Sequence, residues 1–293
     1  IANRLANENQ AWIDMDAPMV YDSIGNGNYP LGYGANSMDV LAYSFIAAYS
    51  GYGQNEVELN LFRKIALPNW SVNFTGLTKI AALKKIFKTI NLTHSYRSNY
   101  SISSWATNLN YSEDNTMQLY DGTNLRVPEF DMAQIVLTEQ YAPLIGIKLT
   151  FNNSLSPSLD FKKSRTVTIS FVNNQLTEAE GQEIIIGCGY TFRDFGLSFG
   201  SGGGQGSNTS NDLTMKLDIG FRKDKTILRS IDENYSQISS GQNKVNVYLT
   251  ADYDFSNRLG MQVFFRHDMT DPFIANSFKT SNTFAGVTMR FSL

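Results

Sequence analysis

Hydrophobic and polar residues alternate one by one along most of the chain after residue 70. Between Ile90 and Ile102, most even positions are apolar or aromatic, and every odd position is polar. Successive side chains of a β-strand point to opposite faces of its sheet. This segment therefore predicts a strand with one apolar side and one wet side.

The same alternation recurs toward the C-terminus in unusually long runs. Leu159–Asn173 and Asp212–Arg229 each read as one strand, although strands of globular proteins cluster near ~5–6 residues. Long alternating strands are typical of transmembrane β-barrels, whose apolar side faces lipid and whose polar side lines a wet lumen. We therefore predict an all-β, antiparallel transmembrane barrel segment of about eight strands. The residues predicted to face lipid are Leu213, Met215, Leu217, Ile219 and Phe221, and those predicted to face the lumen are Arg97, Lys216, Asp218 and Arg222.

The predicted connections alternate in length if the last strand ends on the periplasmic side. Long outer loops are expected at Ser112–Pro128, Asn174–Gln182, Ile231–Asn243 and Met269–Lys279, and short inner turns at Asn152–Ser156 and Ser256–Arg258. The glycine-rich connection Phe195–Asn211 breaks the rule. Apolar parity also changes near Ser103, which predicts a bulge or a tight turn there.

The first 69 residues show no sustained period of two. Gly, Asn and Tyr are frequent, and one helix is predicted from Met38 to about Ser50. We therefore expect two regions: an irregular segment with one short helix at residues 1–69, and barrel strands at residues 70–293.

The last predicted strand resembles the terminal signal by which outer-membrane barrels are recognised for insertion. Val287, Met289, Phe291 and Leu293 alternate with polar residues up to the end of the sequence. An aromatic last residue is the usual form, so Leu293 departs from that pattern. The alternative is an ordinary edge strand, but an exposed apolar edge is an aggregation hazard in a soluble protein.

Composition excludes several classes of function. The chain has 293 residues, with 24 Lys and Arg against 27 Asp and Glu, so its net charge of −3 offers no basic surface for nucleic acid. Only 17% of residues are charged, and Cys188 is the single cysteine, which excludes internal disulfides. The longest apolar run, Val40–Tyr49, is interrupted by Ser44 and is too short for a spanning helix. The start at Ile1, without Met or a signal peptide, suggests a processed product or a piece of a longer chain.

No motif for catalysis, a cofactor or a metal is found, so we expect no enzyme. His94 and His267 are far apart; His94 is expected on an apolar strand face, and His267 where a strand meets an outer loop. Cys188 is expected to be a buried, inert thiol. A lysine-rich stretch, Lys79–Lys88, is either a short amphipathic helix at a lipid headgroup boundary or a solvated helix face.

Several short runs resemble the C-terminal part of the SprA/Sov family. They are Leu67–Trp70, Gly76–Ile80, Asn91–Ser98, Thr138–Gly146, Lys162–Arg165, Asn174–Glu178, Thr250–Tyr253, Asn276–Phe278 and Thr280–Thr283. The resemblance extends from about residue 38 to the end, and residues 1–37 match nothing as firmly.

This family forms the outer-membrane translocon of the type 9 secretion system of Bacteroidota, which some members require for gliding motility. The resemblance implies a passage for folded cargo proteins, with a lateral opening, a plug protein and an outer-membrane barrel partner. It also implies that this chain, being much shorter than the family's proteins, is only a slice of a very large barrel.

Two other interpretations stay open on the sequence. The strands could form a self-contained small barrel, either a porin or an adhesin of the outer membrane. They could also form a soluble extracellular β-sandwich that binds a carbohydrate or a protein. The sandwich predicts that Leu213, Leu217 and Phe221 are buried against a second sheet.

Overall fold

The structure, a computed structural model, describes most of the chain. The described residues are 1–22, 26–49, 51, 53, 55–62, 68–112, 118–120, 122–196, 210–231, 233, 235–256, 258–274 and 277–291.

Small elements precede one large sheet. The N-terminal elements are α1 (Ala2–Glu8), α2 (Gln10–Asp14), β1 (Met19–Asp22), β2 (Gly27–Pro30) and α3 (Met38–Tyr49). The predicted helix is therefore present as α3, and α1 and α2 are additional to the single helix expected. Both are short and have no clear hydrophobic period, so the sequence pattern did not reveal them.

Nine strands form the large sheet, and each lies beside the next one in the chain. Their bounds are β3 (Trp70–Phe74), β4 (Phe87–Ser103), β7 (Gln134–Phe151), β8 (Leu155–Ser170), β9 (Gln175–Gly196), β10 (Ser210–Ser230), β11 (Tyr235–Ser256), β12 (Leu259–Pro272) and β13 (Thr280–Phe291). The order across the sheet is β13-β12-β11-β10-β9-β8-β7-β4-β3, and all pairs are antiparallel.

Shorter elements fill two of the connections in this sheet. A 3-10 helix (Gly76–Lys79) and α4 (Ala81–Lys84) link β3 to β4, and the small strands β5 (Ala106–Thr107) and β6 (Phe130–Asp131) pair within the connection from β4 to β7. The change of parity near Ser103 coincides with the end of β4, where Ser104 has a φ of 53°. The backbone therefore bends where the strand ends, which agrees better with the predicted turn than with a bulge inside a strand.

The mainly β, antiparallel architecture is confirmed, and the sheet is open in the described residues. The strands β3 and β13 lie at its two edges and do not pair with each other. The described chain therefore does not by itself show a closed barrel. The count of nine strands exceeds the predicted eight because β3 was not among them: its residues alternate, but over only five positions, too few to distinguish a strand from chance.

Several predicted outer loops are wrong because the strands extend through them. The strand β9 begins at Gln175 and β11 at Tyr235, which leaves only 171–174 and 231–234 as connections. Polar stretches such as Ser236–Asn243 were expected to be loops. A backbone ladder does not require apolar side chains, so the pairing of β10 with β11 continues through this stretch.

The main core lies between α3 and one end of the large sheet. Val167, Ile169 and Ile135 of the sheet are almost completely buried, together with Phe45 and Ile46 of α3. We call the end of the strands that carries this core the upper end, and the opposite end, where β13 finishes, the lower end.

Candidate functional site

The strand register brings the five residues predicted to face lipid onto one face of the sheet. Leu217 lies opposite Cys188 on β9 and Leu249 on β11. Directly opposed residues of antiparallel strands share a face, so each such set forms a row across the sheet. We call this side the apolar face. The rows that pass through Leu213, Met215, Leu217, Ile219 and Phe221 form what we call the apolar band.

One row of the apolar band crosses all nine strands. Its members are Phe74, Leu92, Ile147, Leu159, Ile186, Ile219, Val247, His267 and Thr283. All but the last two are apolar. The local alternation seen in single strands therefore combines into a continuous apolar surface, which is a property of the register and not of any one strand.

Most of the apolar band is not covered by any other part of the described chain, although Tyr253, in the row of Leu213, is buried beside Phe195. Phe221 is 48% exposed and Ile186 is 50% exposed. Other half-exposed members are Ile145, Leu159, Ile184, Phe192, Val263, Phe265, Val287 and Met289. Water-soluble monomers rarely expose a contiguous apolar surface of this extent, and such surfaces mark contact with a membrane or another protein.

Aromatic side chains lie at the upper and lower borders of the apolar band. At the upper border, the Tyr96 ring lies 4.5 Å from that of Trp70 and 4.8 Å from that of Tyr141. At the lower border, the rings of Phe87 and Phe151 are 4.6 Å apart. Farther along the sheet this border continues through Tyr190 and Phe192 of β9 and Tyr253 of β11. Two aromatic girdles around an apolar band are typical of transmembrane barrels.

The four residues predicted to face a lumen all lie on the opposite, polar face. Lys216, Asp218 and Arg222 alternate with the apolar residues of β10. Arg97 belongs to the row that continues through Gln140, Ser164, Gly181 and Asp224, and Asp224 is two residues beyond Arg222. The structure thus brings these four residues to one face, and what that face meets stays a prediction.

Glycines of the large sheet concentrate on the polar face. They are Gly146, Gly181, Gly187, Gly189, Gly220, Gly260 and Gly286. A Cβ atom at Gly187 would collide with the side chains of Ser158 and Asp218, and one at Gly146 would collide with Thr93. Missing side chains on one face favour bending of a sheet toward that face. This asymmetry, which the sequence analysis did not identify, favours a concave polar face.

Charges of both signs lie on the polar face and form ion pairs, one between β8 and β9 and two between residues of the same strand. The ion pairs are Lys162–Glu183 at 3.1 Å, Arg222–Asp224 at 2.9 Å and Arg266–Asp268 at 2.6 Å. Their side chains stay partly exposed, so each pair adds little stability. In the part of the chain that the structure describes, no three His, Cys, Asp or Glu side chains form a group that could hold a metal ion. The polar face thus offers a wet surface of mixed charge.

Both histidines have hydrogen-bonding partners. His94 Nδ1 lies 2.6 Å from the carbonyl oxygen of Leu144, and His267 Nδ1 lies 2.8 Å from Thr283 Oγ1. His267 is inside β12, so its expected position at a loop is wrong. The expectation of a buried Cys188 is also wrong: the thiol is exposed, because it belongs to the uncovered apolar band.

A charged cluster fixes α3 at the upper end of the apolar face. Glu178 accepts from Arg165 at 2.6 Å and from Arg229 at 3.1 Å. The ring of Tyr49, at the end of α3, lies 5.0 Å from the guanidinium carbon of Arg165. Burial raises the pKa of the Tyr49 hydroxyl. These residues come from three distant parts of the sequence, so no local motif indicates the cluster.

A cavity of about 450 Å³ with a mixed polar and apolar lining lies beside α3, between the N-terminal elements and the connection from β4 to β7. Arg126 on its wall pairs with Asp39 of α3 at 2.7 Å. Burial raises the pKa of Asp39, and the guanidinium of Arg126 opposes that rise. Burial also raises the pKa of Tyr33 and of Tyr43. The cavity was not predicted, because its wall combines residues far apart in the chain.

The predicted insertion signal lies on an edge strand. Val287 and Met289 of β13 pair with Val263 and Met261 and continue the apolar band to the edge of the sheet. Phe291 is the last described residue, and Leu293 lies outside the described residues. The role of this strand in insertion stays a prediction.

No family model and no curated protein sequence matches the chain. Among the described residues, no helix has both the length and the apolar character needed to cross a membrane.

Proposed function

We propose that the nine-stranded sheet is a section of the wall of a large outer-membrane barrel that exports folded proteins. The observation that carries this proposal is the uncovered apolar band with aromatic borders, which lies opposite a polar, glycine-rich face. In this account the apolar band contacts lipid, and the polar face lines an aqueous passage. No bond is broken, so the protein is a conduit and not an enzyme.

The height of the apolar band suits a bilayer. On β7 the band extends from Tyr141 at its upper border to Phe151 at its lower border. At ~3.3 Å per residue this segment is about 33 Å long. A strand tilt of ~35–45° reduces the projected height to about 25 Å, which is the usual height of the apolar band of such barrels.

The open edges of the sheet support a slice of a larger wall. In the described chain, β13 and β3 each have one side without a partner strand. In lipid every backbone group must be hydrogen-bonded, so both edges require further strands. We infer that the rest of the same barrel supplies them.

The resemblance to the SprA/Sov family adds the biological setting to this proposal. It suggests type 9 secretion and gliding motility in Bacteroidota, with secreted cargo proteins, an outer-membrane barrel partner and a plug protein as partners. The mixed charges of the polar face support a passage for cargo of varied charge, because neither sign dominates its surface.

The two other interpretations fit the structure less well. A soluble sandwich requires a second sheet over Leu213, Leu217 and Phe221, but in the described residues no second sheet covers them. A self-contained small barrel requires β3 and β13 to close on each other, and the described sheet leaves both edges open.

A pair of neighbouring photo-crosslinking positions tests the export function. A photoreactive amino acid replaces Lys216 on the polar face or Leu217 on the apolar face of the natural full-length protein, in the cells that make it. Illumination is expected to join secreted proteins to position 216 and not to position 217. Equal capture at the two positions, or no secreted protein at position 216, would contradict the proposal.

A second measurement separates a slice from a complete small barrel. The isolated chain is added to planar bilayers and is also analysed for heat-dependent mobility in detergent. A slice is expected to give neither stable conductance nor a folded, closed species. A closed barrel formed by this chain alone would favour the porin or adhesin interpretation.

A further inference from the structure

Lysines lie on the apolar face directly above the apolar band. Lys163 on β8 and Lys223 on β10 belong to one row, with Gln182 of β9 between them. Lys225 follows on β10 in the next row up, opposite Glu180. We call Lys163, Lys223 and Lys225 the lysine ledge.

The first two lysines are close enough to share one ligand. They stand two strand spacings apart, which is about 10 Å between their Cα atoms. Lysine side chains are long and flexible, so two ammonium groups at this separation reach a common anion. Lys163, Gln182 and Lys223 are all exposed, and the amide of Gln182 offers a further donor in the centre.

Two of the acidic groups near the ledge are already engaged elsewhere. Glu178 is held by Arg165 and Arg229, and Glu139 accepts a hydrogen bond from the Tyr96 hydroxyl at 2.8 Å. Within the described part of the chain, neither Lys163 nor Lys223 forms an ion pair. By contrast, Lys162 on the polar face pairs with Glu183. With three lysines and Glu180 as the facing carboxylate, the ledge therefore keeps a net positive charge.

The position of the ledge defines the ligand that it suits. The row directly below it consists of Ile145, Phe161, Ile184, Phe221 and Val245, together with Met269 and Ser281. Tyr141, in the upper aromatic border, lies opposite Lys163. Above the ledge, the cluster around Glu178 carries α3. If the apolar band is in lipid, the ledge stands at the level of the headgroups of the adjacent leaflet.

We propose that the lysine ledge binds the phosphate of an anionic, phosphorylated lipid whose acyl chains lie along the apolar band. The proposal rests on the membrane location proposed above. Phosphate oxygens accept from several ammonium donors at once, and the apolar rows below provide the surface for the chains. One site thus recognises both parts of an amphiphilic ligand.

The test compares two double variants of the full-length protein in vesicles. Lys163→Gln/Lys223→Gln removes two charges from the ledge, and Lys148→Gln/Lys244→Gln removes two charges from the polar face. The vesicles contain phosphatidylcholine with a small share of phosphatidic acid, and native mass spectrometry measures the retained phosphatidic acid. The loss of one basic residue near an anionic membrane surface is expected to weaken binding roughly fivefold. The ledge variant lacks two such residues, so its affinity for phosphatidic acid is expected to fall about 25-fold. The control variant is expected to bind like the wild type.

The outcomes separate this site from the proposed function. Insertion of all three proteins with equal retention of phosphatidic acid would overturn the ledge site and leave the barrel-wall account standing. Failure of the wild type to insert at all would overturn both. Inorganic phosphate is tested separately: if it binds to the ledge as tightly as the lipid does, the assignment to a lipid headgroup is wrong.

Discussion

Two regions of the same sheet face carry similar side chains and differ completely in burial. At the upper end, Ile135, Leu137, Val167 and Ile169, which we call the covered patch, pack beneath α3, and Val167 is only 1% exposed. Lower on the same face, Ile186 of β9 and Phe221 of β10 are about half exposed. Chemistry of the side chains cannot explain this difference. The upper patch is part of a packed core, whereas the apolar band is left open, and in the proposed function this open band contacts lipid.

The polar rows between these regions sharpen the contrast. Lys163 and Arg165 interrupt the apolar parity of β8 between Phe161 and Val167. In a soluble core, charged residues are not expected between two apolar zones on one face. A wall that leaves the bilayer and continues into water requires such an interruption at the headgroup level.

Truncation of the covered patch is expected to have the largest effect. Ile135→Ala removes methyl groups from a fully buried side chain and is expected to cost about 2–5 kcal/mol. Ile186→Ala in the apolar band is the matched control and is expected to cost under ~1 kcal/mol. Denaturant unfolding in detergent micelles measures both. Equal losses would contradict the distinction between the two regions.

A charge in the apolar band tests its environment directly. Val247→Arg is expected to cost about 2–4 kcal/mol in a bilayer, because a cation near the midplane of a barrel must leave water. Its neighbour Tyr248 lies on the polar face, in a row with Asp218 and Arg266, so Tyr248→Arg is expected to cost far less. Folding into vesicles at increasing urea gives both values. A small penalty at residue 247 would show that the apolar band does not face lipid.

Neutralising Glu178 is expected to loosen α3 from the sheet. Glu178→Gln leaves Arg165 and Arg229 without their shared carboxylate, and since both arginines are partly exposed the cost is about 1–2 kcal/mol. Hydrogen exchange is expected to accelerate in α3 and to stay unchanged in β11 and β12. Uniform acceleration over the whole sheet would show that the cluster does not act locally.

The N-terminal region is expected to lose stability at high pH, and this effect is expected to be smaller than those of the substitutions above. Burial raises the pKa of Tyr43 above its ordinary value of 10.0, so the folded form keeps a proton that the unfolded form releases. The stabilisation is therefore complete below pH ~10 and falls as the pH rises above it. Tyr43→Phe is expected to flatten this alkaline loss when α3 is followed by circular dichroism. If the pH dependence of helix content is the same in the variant as in the wild type, the loss of stability at high pH comes from groups other than Tyr43.

Local alternation made the strands predictable, and non-local contacts made the rest unpredictable. The pattern of β10 indicates both its length and its two faces, because each side chain's face depends only on position parity. Parity cannot show that Val167 is covered while Leu159 is exposed, because the covering helix comes from a distant part of the chain. For the same reason Cys188 was wrongly expected to be buried. The polar start of β11 was missed because its pairing partner, and not its own composition, keeps it in the sheet.

The most direct test of the barrel wall uses the single cysteine. Cys188 lies in the apolar band, and the adjacent Gly189 lies on the polar face with room for a Cβ atom, its nearest contact being 3.6 Å away. The variant Cys188→Ser/Gly189→Cys therefore moves the single thiol of these 293 residues to the opposite face.

In the membrane-embedded protein, a nitroxide spin label is attached to the thiol at position 188 or at position 189. Power-saturation electron paramagnetic resonance then measures how often the label collides with oxygen, which dissolves in lipid, and with a nickel chelate, which stays in water. The account predicts that the label at 188 meets oxygen and not nickel, and that the label at 189 meets nickel. Free access of the nickel chelate to position 188 would contradict it.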